Sequence, residues 1–230
     1  MGGSEKGDEA LRRIEDVLND ADARNDAMGA DEYLRQSYSS GKPTPEFTRL
    51  KEAKYLGYFA EQYNELNTSG LVWARWNEVG SGHADFSVYD DKKSYLCDLE
   101  ITALFSTPTT KDPQGYEDFS PYPRMPIAME LSAVPGVTLW DIDRPKPGFR
   151  PYARLERTIE MHLRDAYPPY WLVIYDNEHG VCHPNLKQLE QLIRQILQKN
   201  MDRGRLPTNL KQVWAFDLRN WNGPTICRAW

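Results

Sequence analysis

Two stretches decide the fold: His83-Ala84-Asp85-Phe86-Ser87-Val88-Tyr89-Asp90 and Tyr95-Leu96-Cys97-Asp98-Leu99-Glu100-Ile101-Thr102, joined by the polar loop Asp91–Ser94. Both stretches alternate polar and apolar residues, which is the period of a β-strand with one buried face. A loop this short is typical of adjacent antiparallel strands. The pattern therefore predicts a β-hairpin.

The predicted register brings the polar residues together. With Asp90 opposite Tyr95, the cross-strand partners on one polar face are Asp85 with Glu100, Ser87 with Asp98, and His83 with Thr102. The apolar partners meet on the other face, because side chains alternate along a strand. One face of the hairpin thus carries three carboxylates.

The surrounding sequence predicts an α/β fold. Thr44 and Pro45 indicate the start of a helix that runs to about Leu66, and Leu71–Val79 adds a third strand before the hairpin. Further apolar patterns predict a helix, a strand, a helix and two strand candidates, at Tyr152–Tyr167, Trp171–Tyr175, Leu186–Met201, Gln212–Leu218 and Thr225–Trp230. We expect a central mixed β-sheet flanked by helices, in the order helix, three-strand meander, helix, strand, helix, strand.

Two segments differ from this compact pattern. Residues 1–45 hold ten acids and six bases and read as two short helices, so we assign them to an N-terminal helical extension. Residues 46–230 form the main domain, and nine of the 16 prolines fall in an excursion at 103–151 that shows no sustained period. Loops of that length in a compact domain are usually functional or disordered.

The composition restricts the class of protein. The chain has 230 residues with a net charge of −6, of which residues 46–230 contribute 24 acids and 22 bases. The acidic excess predicts weak binding of nucleic acid without a divalent metal, since non-specific binding depends on lysine and arginine. No signal peptide or membrane span is expected, and three cysteines without a CxxC spacing favour reduced thiols in the cytoplasm.

Three carboxylates on one patch need a compensating partner. Like charges on directly opposed strand residues are destabilising. Hard oxygen donors suit Mg²⁺, which proteins commonly hold with one or two carboxylates, water and substrate phosphate. We therefore expect Asp85, Glu100 and Asp98 to bind Mg²⁺ or Mn²⁺.

The layout resembles the restriction-endonuclease-like, or PD-(D/E)XK, nuclease superfamily over roughly residues 46–218. Asp85 matches the motif aspartate, Glu100 matches the second acid, and Thr102 stands where the lysine is expected. An alternative alignment puts Asp98-Leu99-Glu100 on the acid-x-lysine triplet, with Glu100 in the lysine position. Glu61 resembles the helix glutamate that many members add to the site.

Thr102 cannot supply the positive charge of the lysine. The resemblance implies that the cation comes from the following helix, where His162, Arg157 and Arg154 are the candidates. His162 lies on the apolar side of that predicted helix, which faces the sheet. We expect it to act at the site with Asp85, Glu100, Thr102 and Glu61.

The resemblance implies a metal-dependent nuclease that hydrolyses DNA, and RNA less readily, in a defence setting. The missing lysine and the acidic charge leave a second hypothesis open. It is a catalytically inactive module of the same fold that binds nucleic acid or a partner protein, with a homodimer also possible.

Overall fold

A computed structural model describes residues 10–29, 44–77, 82–103, 151–176, 186–217 and 226–230. These residues form seven strands and four helices. In chain order they are β1 (Arg12–Arg13), α1 (Ile14–Met28), α2 (Pro45–Leu66), β2 (Trp73–Trp76), β3 (Phe86–Tyr89), β4 (Tyr95–Ala103), α3 (Pro151–Met161), β5 (Tyr170–Asp176), α4 (Leu186–Asp202), β6 (Leu210–Asp217) and β7 (Ile226–Arg228).

The strands form one mixed sheet whose spatial order follows the chain, from β1 to β7. Neighbours from β1 to β4 run antiparallel, β4, β5 and β6 are parallel, and β7 returns antiparallel to β6. The prediction of an α/β protein with a mixed sheet is confirmed.

Helices cover both faces of the sheet, so the described residues build three layers. On the first face, α2 packs through Leu56, Phe59 and Tyr63 against a core that includes Trp214 and Phe216. On the second face, helices α3 and α4 pack against alternate residues of β5 and β6 and against the chain around β7, with Leu155, Ile159, Leu189, Ile193 and Ile196 at the interface. Strand β5 is buried on both sides, as its continuous apolar run predicts.

Helix α2 begins and ends where the sequence signals predict. The Thr44 Oγ1 accepts the backbone N–H of Phe47 at 3.2 Å, and Pro45 occupies the first helical position. This cap satisfies one of the N–H groups that a helix start leaves unpaired. The helix is 22 residues long and so spans about 33 Å of the first face.

The hairpin register is confirmed along β3 and corrected at the turn. Phe86 pairs with Leu99, Ser87 with Asp98, and Val88 with Cys97, as predicted. Tyr89, rather than Asp90, then lies opposite Tyr95, because a bulge between Val88 and Tyr89 shifts the register by one residue.

The N-terminal residues join the sheet and its core. Arg12–Arg13 pairs with Trp73 and Ala74, and Ile14 is buried in the first-face core. The two short helices that we predicted are wrong for the described residues, because one helix, α1, runs through both apolar patterns to Met28. Residues 30–43 and the excursion at 104–150 lie outside the described ranges.

Helix α3 is shorter than the prediction of Tyr152–Tyr167. It ends at Met161. The hydroxyl of Tyr170 donates to the carbonyl of His162 at 2.9 Å and accepts the N–H of Arg164 at 3.0 Å. The Tyr170 side chain of β5 thus satisfies backbone groups that another helical turn would have paired. The periodicity of the sequence does not predict this end of the helix.

Candidate functional site

A notch opens where β4 continues past the start of β3. Their pairing ends at Phe86 and Leu99, whereas β4 runs on to Ala103. Within the part of the chain that the structure describes, the β3 side of the last residues of β4 therefore has no strand partner. On its other side β4 stays paired to β5, so this end of the strand is rigidly held.

The carboxylate of Asp85 occupies this notch. Its Oδ2 accepts the backbone N–H of Ile101 at 2.8 Å, in place of a ladder bond from β3. Its own carbonyl accepts the N–H of Asn77 at 3.0 Å, which keeps the residue tied to the chain leaving β2. Asp85 thus has a fixed orientation, with Oδ1 left without a hydrogen-bond partner among the described residues.

Glu100 faces the second side of the sheet beside the notch. Its Oε1 lies 2.7 Å from Nδ1 of His162, in the turn that ends α3. The Glu100 side chain is buried and that of His162 is 21% exposed. Since Tyr170 holds the His162 backbone, strand β5 indirectly orients Glu100.

Glu52 of α2 is the third carboxylate. Its pKa is raised to about 7, chiefly by burial and then by the charge of Glu100, while the cation of Arg49 opposes the shift. Burial is also the main reason that the pKa of Asp85 lies well above its ordinary range, followed by the charges of Glu100 and Glu52, while the Ile101 N–H opposes it. The three acids therefore act on one another as a single electrostatic cluster, which we call the notch cluster.

The charge of the notch cluster is only partly compensated. A buried carboxylate ordinarily needs a cation or several hydrogen-bond donors. Arg49 acts on Glu52 and the Ile101 N–H on Asp85, yet both pKa values stay raised. Perturbed carboxylates of this kind are typical of functional sites.

Asp98 lies on the same face but in a different environment. Its carboxylate is completely buried and receives Ser87 Oγ at 2.8 Å, Tyr95 OH at 3.1 Å and His83 Nδ1 at 2.7 Å. Burial and the Asp98 charge both raise the pKa of Tyr95, which keeps its hydroxyl a donor. Donors already satisfy both oxygens of Asp98, so it has no need of a metal ion.

The predicted register places His83 opposite Thr102, and this pairing is not formed, because the pairing of β3 with β4 ends at Phe86 and Leu99. Residues 82–85 leave the strand, and buried Asn77 fixes them by donating from Nδ2 to the Ala84 carbonyl at 2.8 Å. The His83 ring therefore folds back to Asp98. An asparagine side chain that binds the backbone of a distant segment gives no periodic signal.

The remaining predicted site residues are spread more widely. Thr102 is buried on the Glu100 face, at the lysine position of the resemblance. Glu61 is exposed on α2, and none of the pKa shifts in the notch cluster involves it. Arg157 is half-buried on α3, and the side chain of Arg154 lies outside the described residues.

The sequence did contain a signal for Glu52. Leu56, Phe59 and Tyr63 form the buried stripe of α2, and Glu52 continues that stripe one turn earlier. Glu61 follows Glu52 by nine residues, which is two and a half turns and places it on the opposite side of the helix. An acid within an apolar stripe is more informative than an acid chosen by motif position.

The arrangement by itself offers part of a metal site. Over the described ranges, no group of three histidine, cysteine, aspartate or glutamate side chains is placed to hold a metal ion. Asp85 and Glu100 each use one oxygen in a hydrogen bond, and no described residue donates to the other oxygen of either carboxylate. Two carboxylates with water and phosphate would suffice for Mg²⁺.

Comparison of the chain with models of protein families, with curated proteins and with solved structures finds no match. Among the helices that the structure describes, none combines the length and apolar character needed to cross a membrane.

Proposed function

We propose that the protein is a metal-dependent nuclease of the restriction-endonuclease-like kind that hydrolyses phosphodiester bonds of DNA. The observation that carries this proposal is the notch cluster, in which the Asp85 carboxylate lies in the gap beside β4 and the charge of Glu100 helps to raise the pKa values of Asp85 and Glu52. The element order supports it, since a helix and an antiparallel meander precede the parallel strands.

The donor set fits Mg²⁺ or Mn²⁺. Asp85 and Glu100 each have one carboxylate oxygen without a hydrogen bond from the described residues, and such oxygens are hard ligands. A divalent cation would offset the negative charges that, after burial, raise the pKa values of Asp85 and Glu52. When bound, the ion supplies an activated water and stabilises charge on the phosphate. Asp85 and Glu100 hold it, and His162 orients Glu100 through the 2.7 Å contact.

The missing lysine remains the main departure from the resemblance. Thr102 has no charge. Among the described residues, the basic side chains next to the notch cluster are His162, whose Nδ1 lies 2.7 Å from Glu100, and Arg49, whose charge lowers the pKa of Glu52. In this proposal the role of the lysine falls to these side chains of α2 and of the end of α3, rather than to β4.

The decisive experiment measures cleavage of plasmid and oligonucleotide DNA with Mg²⁺, with Mn²⁺ and with EDTA. Asp85→Asn preserves the size of the side chain but removes the charge, and we expect at least a 100-fold loss of the metal-dependent rate. Asp91→Asn, in the exposed hairpin loop, should retain the wild-type rate. Equal rates of wild type and Asp85→Asn would overturn the proposal.

The two helix glutamates provide a second test. Glu52→Gln should reduce cleavage and Mn²⁺ affinity measured by calorimetry, whereas Glu61→Gln should change neither, because Glu61 is exposed and outside the notch cluster. The reverse result would return the role to Glu61, as the resemblance implies. RNA is assayed alongside as the less favoured substrate.

Two observations favour the alternative of an inactive module. Position 102 is threonine where the resemblance expects lysine, and within the described ranges no three histidine, cysteine, aspartate or glutamate side chains are placed to hold a metal ion. Such a protein would bind DNA or a partner protein, or form a homodimer, with no cleavage under any metal condition. Wild type that retards DNA in a gel without cutting it would establish this alternative.

A further inference from the structure

Strand β4 presents a second imidazole–carboxylate pair next to the notch cluster. His83 Nδ1 lies 2.7 Å from Asp98 Oδ2. Because a carboxylate only accepts, Nδ1 carries the hydrogen in this contact, and Nε2 is the nitrogen that faces away from Asp98. Over the described ranges Nε2 of His83 has no hydrogen-bond partner, and the side chain is 40% exposed.

The Asp98 end of this pair is rigid. Ser87 and Tyr95 both donate to Oδ1, which leaves Oδ2 for the imidazole. Asn77 fixes the backbone of the segment that carries His83. A buried carboxylate that fixes an exposed imidazole by its Nδ1–H is the arrangement of a general acid or base.

Each residue of the pair is two positions from a residue of the notch cluster. Asp98 and Glu100 are successive residues on one face of β4, so their Cα atoms are about 7 Å apart. His83 and Asp85 are also two residues apart along the chain, with Cα atoms at most about 7 Å apart. His162 makes the corresponding contact through its Nδ1, but its partner Glu100 is a proposed metal ligand and its side chain is 21% exposed against 40% for His83.

We propose that His83 is a catalytic residue, the general acid that protonates the leaving oxygen, with Asp98 as its positioning residue. This inference rests on the proposed nuclease function. It assigns the proton donor, a role for which neither the Mg²⁺ ligands nor Thr102 provides a group.

The step balances as follows. The attacking water oxygen bonds to phosphorus and loses one proton to solvent, while the bond between phosphorus and the leaving oxygen breaks. Protonated His83 gives the hydrogen on Nε2 to that oxygen, and the other hydrogen stays on Nδ1, hydrogen-bonded to the Asp98 carboxylate. The neutral ring regains a proton from solvent.

The test compares two DNA oligonucleotides. Cleavage by wild type is first mapped to one bond and one leaving oxygen, and that oxygen is replaced by sulfur in the second oligonucleotide. A thiolate leaves without protonation. His83→Asn keeps an amide donor near the Nδ1 position for Asp98 but lacks Nε2.

His83→Asn should slow the oxygen substrate by about 100-fold or more and the sulfur substrate by less than about 3-fold. His162→Gln, which disturbs Glu100, should slow both substrates by a similar factor. If His83→Asn does not fold, His83→Ala with imidazole added to the buffer gives the second measurement, and imidazole should restore cleavage of the oxygen substrate selectively.

Equal slowing of both substrates, or no slowing of either, overturns the role of His83 and leaves the nuclease proposal intact. A wild-type protein that cuts no DNA with Mg²⁺ or Mn²⁺ overturns the nuclease proposal, and this inference with it.

Discussion

The face of β4 holds two buried carboxylates, Asp98 and Glu100, whose surroundings differ. Three side-chain donors surround Asp98, from Ser87, Tyr95 and His83. Among the described residues, Glu100 has one such contact, from His162, and its charge raises the pKa values of Asp85 and Glu52. Two positions along the same strand thus separate a carboxylate that the protein satisfies internally from one that belongs to the notch cluster.

The difference teaches how to separate a structural acid from a functional one. Burial is equally severe for both, so burial alone does not distinguish them. The number of hydrogen-bond donors does distinguish them. A carboxylate with enough donors stabilises the fold, whereas neighbouring carboxylates with too few donors repel one another and destabilise it. The comparison predicts opposite effects on stability when the two kinds of acid are neutralised.

The largest expected effect is at the satisfied acid. Asp98→Ala leaves the hydroxyls of Ser87 and Tyr95 and the imidazole of His83 without their shared acceptor. We expect a loss of about 3–5 kcal/mol in the free energy of unfolding, measured with urea, because breaking a buried charged network costs that much.

Asp91→Ala, in the exposed loop of the same hairpin, is the matched control and should stay within about 0.5 kcal/mol of wild type. A loss below about 1 kcal/mol for Asp98→Ala would mean that its three donors contribute little. The distinction between the two acids would then fail.

A smaller effect of opposite sign is expected at the notch cluster. Glu52 has a pKa of about 7 in the folded protein against an ordinary value of 4.5. Between these two pH values the folded state holds a proton that the unfolded state has released, so stability falls as pH rises through this window and then levels off. Glu52→Gln removes that loss.

Without divalent metal, Glu52→Gln should be more stable than wild type by roughly 1–3 kcal/mol at pH 8, and the gain should vanish at pH 4. Urea unfolding at several pH values measures this difference, with Glu61→Gln as the exposed control on the same helix. A gain that does not depend on pH would show that helix propensity, rather than charge, causes it.

The sequence predicted the sheet class and most of the hairpin, because both depend on short-range periodicity. The pairing of Ser87 with Asp98 and the bounds of α2 follow directly from alternation and from the Thr44–Pro45 start signal. Asp85 was predicted to lie directly opposite Glu100 for the same reason, but the pairing of β3 with β4 ends one pair earlier, at Phe86 and Leu99. The charge of Glu100 nevertheless raises the pKa of Asp85.

What the sequence did not predict depends on contacts between distant segments. The bulge at Val88 and Tyr89, the turn of His83 toward Asp98 and the early end of α3 are each fixed by a neighbouring element. Glu52 reaches the notch cluster because α2 crosses that end of the sheet, which no local pattern specifies. Motif spacing therefore led to Glu61, and geometry leads to Glu52.

The smallest predicted effect concerns Tyr170, whose hydroxyl holds the backbone of His162, the residue in contact with Glu100. Tyr170→Phe removes the hydroxyl that joins the His162 carbonyl to the Arg164 N–H. We expect a loss of about 1 kcal/mol in urea unfolding, the usual net value of one or two such hydrogen bonds. Tyr89→Phe is the matched control, since the structure gives the Tyr89 side chain a ring contact with Tyr95 and no hydrogen bond over the described ranges.

The same variant sharpens the contrast between the two carboxylates. Because His162 would lose one of the two hydrogen bonds that hold its backbone, Tyr170→Phe should also weaken Mn²⁺ binding several-fold by calorimetry. Ser87→Ala, whose lost hydroxyl contacts Asp98 and Asn77 rather than the notch cluster, should lower stability without changing that affinity. Equal Mn²⁺ affinities for wild type and Tyr170→Phe would show that Glu100 needs no support from β5. A loss of affinity in Ser87→Ala would show that the Asp98 network and the notch cluster are one site rather than two.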